Sequence, residues 1–171
     1  MVYICNDCPR QCGAERSAES SAGFCRSPSL PRVIRAAAHF GEEPCISGTK
    51  GSGTIFFTGC NLRCVFCQNH EISRGGTGQT LSIGELRDTM LRLRDTGVHN
   101  INLVTPSHYV RAISKALEGL ELGIPVVWNS SGYDSVETLK MLEGKIQIYM
   151  PDFKYSDPIP AKIPSQNPTA F

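Results

Sequence analysis

From Thr54 to Met150, short continuous runs of β-branched and aromatic residues alternate with stretches whose apolar residues recur every three or four positions. That alternation predicts consecutive strand–helix units around a parallel sheet. Strands are expected at 54–58, 100–104, 124–128 and 146–150. Between them, Ile83, Leu86, Met90 and Leu93 mark one helical face, Val110, Ile113, Leu117 and Leu120 a second, and Val136, Leu139 and Leu142 a third. Ser82 and Glu85 are spaced as a capping box, with Leu81 and Leu86 as its hydrophobic staple, and Asp134 to Glu137 offers a second helix start. Gly97, Gly123 and Gly144 supply the stops.

The pattern fails at both ends. Residues 1–53 form a Cys- and turn-rich segment, 54–155 the α/β core, and 156–171 a tail whose prolines at 158, 160, 164 and 168 forbid a regular helix. Four parallel strands and three helices make only part of a (β/α) barrel, so the C-terminal part of the barrel is expected to be missing.

The chain has 171 residues, 40% of them hydrophobic, enough for one domain with a real core. A net charge of +1 without Lys/Arg runs gives no electrostatic reason to expect nucleic acid or a membrane surface as partner. The N-terminus has no signal-like apolar stretch, so a cytoplasmic location is expected, where eight cysteines serve better as metal ligands than as disulfides.

Chemistry concentrates at Cys60, Cys64 and Cys67, which directly follow the first expected core strand. Strand C-terminal ends are where α/β folds place their sites. The C-x3-C-x2-C spacing offers three thiolates, one fewer than a closed site uses, so a four-iron cube held here keeps one iron open. The competing reading is a closed zinc or electron-transfer site completed by His70, in a non-catalytic or truncated metal-binding protein.

The motif in its strand context resembles the radical S-adenosylmethionine (SAM) superfamily, and Phe66 fits the aromatic position before the third cysteine. The runs 39–44 and 51–57, with Cys60 to Asn69, are similar to the pyruvate formate-lyase activating enzyme-like proteins. The resemblance implies a [4Fe-4S] cluster on the three cysteines and SAM chelating the open iron. Reductive cleavage would give a 5′-deoxyadenosyl radical for hydrogen abstraction, including glycyl-radical activation of a partner enzyme. It implies a low-potential electron donor such as flavodoxin or ferredoxin. It also implies cofactor contacts from Phe66, Asn129, Ser131, Asp152 and Lys154, with Ser130 beside them. The relatives' Gly-Gly-Glu after the second strand is replaced here by Thr105-Pro106-Ser107-His108. Thr105 and Ser107 would have to supply the oxygen acceptors, on a loop whose lack of glycine denies the same backbone approach.

Cys5, Cys8, Cys12 and Cys25 offer a second, four-thiolate site for zinc or another cluster, with a structural role ranked first because a closed site has no substrate position. Cys45 is left over and is expected to be a small buried residue. His108 reads as a helix-start capping residue before it reads as a proton donor. The adjacent pair Glu42 and Glu43 reads as solvated.

Overall fold

The structure, a computed structural model, describes residues 2–154. Its centre is a six-stranded sheet in the order β5-β3-β4-β6-β7-β8. Four of these strands, β4 (Ser52–Phe57), β6 (Ile101–Val104), β7 (Val126–Ser130) and β8 (Ile148–Pro151), run parallel in chain order. They match the four expected strands to within two residues at their starts. The helices α3 (Ile83–Asp95), α4 (Val110–Leu117) and α5 (Val136–Lys140) are the crossovers between them. The expected tail at 156–171 lies outside the described residues.

Alternation along these strands builds two different faces. Ile55, Phe57, Ile101, Leu103, Val126 and Trp128 pack with Leu86 and Met90 of α3 and Ile113 of α4 in one hydrophobic core. On the opposite face Thr54, Asn102 and Val127 stand in register, and Phe56, Val104, Asn129 and Met150 form the next row. That second face carries polar side chains and opens into the functional cavity.

The capping box is present at α3: the Glu85 amide donates to the Ser82 hydroxyl at 3.2 Å, and the Ser82 amide donates to the Glu85 carboxylate at 2.7 Å. At α5 the cap is Ser135 and not Asp134, because the Asp134 carboxylate accepts the Ser130 hydroxyl at 2.6 Å instead.

The N-terminal segment holds more structure than its composition announces. A small antiparallel pair, β1 (Tyr3–Cys5) and β2 (Ala14–Arg16), precedes β3 (Arg32–His39), the longest strand of the main sheet, which pairs antiparallel with β4. The three alanines 36–38 hide it, since alanine has little strand preference and only one of the strand's eight residues is buried. The two-residue β5 (Gln79–Thr80) caps its outer edge. Cys45 sits on the short helix α1 (Pro44–Ser47) and is exposed, not buried: the helix turns Ile46 and Ser47 inward instead.

Candidate active site

The loop after β4 is shaped before any ligand enters. Gly59 takes φ +84°, and a side chain there would place its Cβ 2.6 Å from the Cys25 carbonyl oxygen, so only glycine passes this point. Its amide donates to the Ile72 carbonyl at 2.9 Å, closing the loop onto the short helix α2 (His70–Ser73). Within the loop, the amides of Leu62 and Arg63 point at the Cys60 sulfur at 3.3 and 3.5 Å. Such donors stabilise a thiolate and tune a metal it binds. Burial pushes the Cys60 and Cys64 thiols up, so their protons leave when a metal replaces them.

Cys60, Cys64 and Cys67 all line one cavity of about 560 Å³. The ends of all four parallel strands reach it, β4 through Phe57 and Gly59, β6 through Thr105, β7 through Asn129, Ser130 and Ser131, and β8 through Asp152 and Lys154. Phe66 stands at its wall and is 55% exposed. Lys154 and Asp152 form an ion pair at 2.6 Å. Burial works to lower the Lys154 pKa, but the Asp152 carboxylate and the neighbouring Cys64 and Cys67 outweigh it and leave it raised. A fixed cation therefore stands beside the thiols. The Ser131 hydroxyl is buried without a hydrogen-bond partner, a polar atom directed to a site a ligand would complete.

Thr105 adopts φ +56°, a left-handed conformation unusual for a β-branched residue. The loop thus makes at Thr105 a left-handed bend of the kind glycine usually supplies, although it contains no glycine. Ser107 is buried and does not line the cavity, so of the two proposed acceptors only Thr105 is in place. His108 lies outside the cavity as well. It is 2% exposed, its Nε2 donates to the Thr58 carbonyl at 2.9 Å, and it holds the triad loop from behind without capping a helix. His70 is exposed and away from the cavity.

Glu42 was missed. It lines the cavity with His39, its carboxylate accepts from the Asn129 amide at 3.4 Å, and burial pushes its pKa up. Adjacent glutamates give no signal of this. What folds Glu42 inward is the anchoring of α1, where the Asn100 side chain donates to the Ile46 carbonyl at 2.8 Å.

Among the described residues, no three His, Cys, Asp or Glu side chains converge to the spacing of a single metal ion. Three thiolates on one loop, lining a cavity with room beside them, are the donor set of a four-iron cluster with one open iron, whereas a structural zinc takes a fourth protein ligand. The cavity size suits a small organic cofactor beside it.

The family model of the radical SAM superfamily matches residues 54–159. An uncharacterized protein of Methanocaldococcus jannaschii is 35% identical over 162 residues, covering 90% of this chain and 46% of the relative. The chain thus spans about half the length of the curated relative it matches. No solved structure matches it. No helix among the described residues is long and apolar enough to cross a membrane.

Proposed function

This chain belongs to the radical SAM superfamily, and we propose that it is an activating-enzyme-type iron–sulfur protein whose substrate is a glycyl backbone position of a partner enzyme. The parallel strands would then form an open arc of a (β/α) barrel. The bound [4Fe-4S] cluster and SAM, given one electron, supply a 5′-deoxyadenosyl radical for hydrogen abstraction.

The chain's own residues would divide the binding work. Cys60, Cys64 and Cys67 would hold three irons and leave the fourth to the methionyl amine and carboxylate. Lys154, fixed by Asp152, suits the anionic side of that assembly, and Thr105 suits the ammonium. Asn129 and Ser131 offer polar contacts to the ribose, and Phe66 an apolar surface for the adenine. A flavodoxin- or ferredoxin-class protein would deliver the electron.

The observation that carries this reading is the convergence of the three cysteines with the ends of all four parallel strands on one cavity. Anaerobic reconstitution followed by chromatography of 5′-deoxyadenosine tests it. Cys60→Ala, Cys64→Ala and Cys67→Ala are each expected to abolish reductant-dependent formation of that product. Unchanged cluster content and turnover in these variants would overturn the reading. A reduced-cluster spin-resonance spectrum indifferent to SAM would point instead to a non-catalytic iron–sulfur protein.

A further inference from the structure

Besides the exposed Cys45, four cysteines lie outside the cavity and have no part in that reading. Cys5 and Cys25 are buried, Cys8 is partly buried and Cys12 is exposed. Two tight turns gather them. The Gln11 amide donates to the Cys8 carbonyl at 2.9 Å, with Gln11 at φ +43°, and the Arg26 amide donates to the Gly23 carbonyl at 2.9 Å, with Arg26 at φ +53°. A Cβ at Gly23 would lie 3.6 Å from the Cys12 sulfur, which places Cys12 against the turn that carries Cys25. The Cys5 thiol reaches the carboxylate of Asp7, the residue before Cys8, at 3.6 Å.

A charge in this region lacks its balance. Arg16 is 1% exposed, and its guanidinium donates to the Cys5 sulfur at 3.6 Å and to the carbonyls of His108 and Pro28 at 2.6 and 2.5 Å. Its Nε is buried without a partner. The one carboxylate paired with it among the described residues is Asp7, at 4.0 Å, and Asp7 pairs more closely with Arg111, at 2.7 Å. Two guanidinium groups therefore share one carboxylate, and the buried one faces sulfur. A buried charge needs compensation that neutral thiols cannot supply and metal-bound thiolates can.

We propose that Cys5, Cys8, Cys12 and Cys25 ligate a second iron–sulfur cluster, closed by four thiolates, with Arg16 as its buried counter-charge and hydrogen-bond donor to Cys5. Four thiolates would close a cube or a single zinc ion alike, and analysis of the bound metal decides between them. The position gives such a centre a mechanical role. Arg10, stacked 3.4 Å over the Phe24 ring, donates to the Asn61 carbonyl at 3.1 Å, and Arg63 donates to the Phe24 carbonyl at 3.3 Å. Asn61 and Arg63 follow Cys60 in the catalytic loop, so this module braces the loop from outside.

The test uses the full chain with the triad removed, Cys60→Ala/Cys64→Ala/Cys67→Ala, reconstituted anaerobically and assayed for iron, sulfide and zinc. About four irons per chain should remain, against about eight in the parent, with a reduced-state spin-resonance signal that SAM does not alter. A chain with no iron, or with one zinc and no iron, would overturn the proposal. Because loss of all three ligands can unfold the loop, Cys5→Ser/Cys25→Ser gives the complementary arm: about four irons lost, the SAM-responsive signal kept. Loss of no iron in that arm would also refute the second cluster. In the triad-free chain, Arg16→Gln should move the reduction potential negative and Arg16→Lys should restore most of it; an unmoved potential would remove Arg16 from its role. These readouts do not involve 5′-deoxyadenosine, so the second cluster and the proposed reaction stand or fall separately.

Discussion

The two cysteine groups of this protein are built on opposite plans. Cys60, Cys64 and Cys67 lie on a loop that faces a cavity of about 560 Å³, with the Lys154–Asp152 pair and strand-end polar groups around it. Cys5 at the end of β1 and Cys8, Cys12 and Cys25 on or beside tight turns have a buried arginine among them and no part in that cavity. The first arrangement leaves room for a molecule beside the sulfurs, and the second puts none of its cysteines on that cavity. Sulfur supply is similar in both; access decides which one can do chemistry.

The two regions meet at Gly59, and the largest expected effect lies there. An alanine Cβ would overlap the Ser27 hydroxyl and press on the Cys25 carbonyl, in a backbone conformation that L-residues avoid. Gly59→Ala is expected to destabilise the protein by roughly 3 kcal/mol or more, since the Cys25 carbonyl is backbone and the Ser27 hydroxyl is buried. Thermal unfolding gives the loss in stability, and iron analysis shows whether both regions fail together. Normal stability with only the triad's iron lost would mean that the regions are less tightly joined than their contact implies.

His108 is the second joint, holding Thr58 through its ring and Arg16 through its carbonyl. Burial presses its pKa down to about 3, so the folded protein keeps it neutral while the unfolded chain takes a proton below about 6.5. The unfolded state therefore binds more protons between these values, and stability falls as pH falls through that window. From pH 7 to pH 5 this group should cost about 2 kcal/mol. His108→Gln, which keeps a donor for Thr58, should flatten that part of the pH dependence relative to the parent. Parallel slopes for the two proteins would show that the joint is not what acid loosens.

The same contrast explains what the sequence disclosed. The parallel strands and α3 were legible because a face buried against helices needs continuous apolar runs, and the Ser82–Glu85 box is a local signal for a local structure. That Cys60, Cys64 and Cys67 would share one site was legible because they lie within eight residues of one another on one loop. Strand β3 was not, since its half-exposed alanine run carries no two-residue period. Glu42 and His108 were misread for a shared reason: what turns each inward is a partner some 50 or more residues away in the chain, Asn100 through its anchor on α1 for one and Thr58 for the other. Local spacing holds no record of such contacts.

The smallest expected effect separates cofactor binding from architecture on the open side alone. Lys154 stands at the end of β8, 28% exposed at its side chain, with Asp152 as its only ion-pair partner among the described residues. Removing its charge should leave folding nearly intact, because an ion pair this accessible contributes little to stability. It should still weaken SAM binding, since the ammonium stands beside Cys64 and Cys67, where the cofactor's carboxylate would meet the open iron. Lys154→Met is therefore expected to raise the KM for SAM about tenfold, which is about 1.4 kcal/mol of binding, at unchanged thermal stability and unchanged iron content. Asp152→Asn should do less, because the lysine keeps its charge and loses only the partner that fixes it. If Lys154→Met instead removed iron, the cation would belong to the cluster loop's architecture, and the contrast between an open and a closed cysteine site would have to be redrawn at β8.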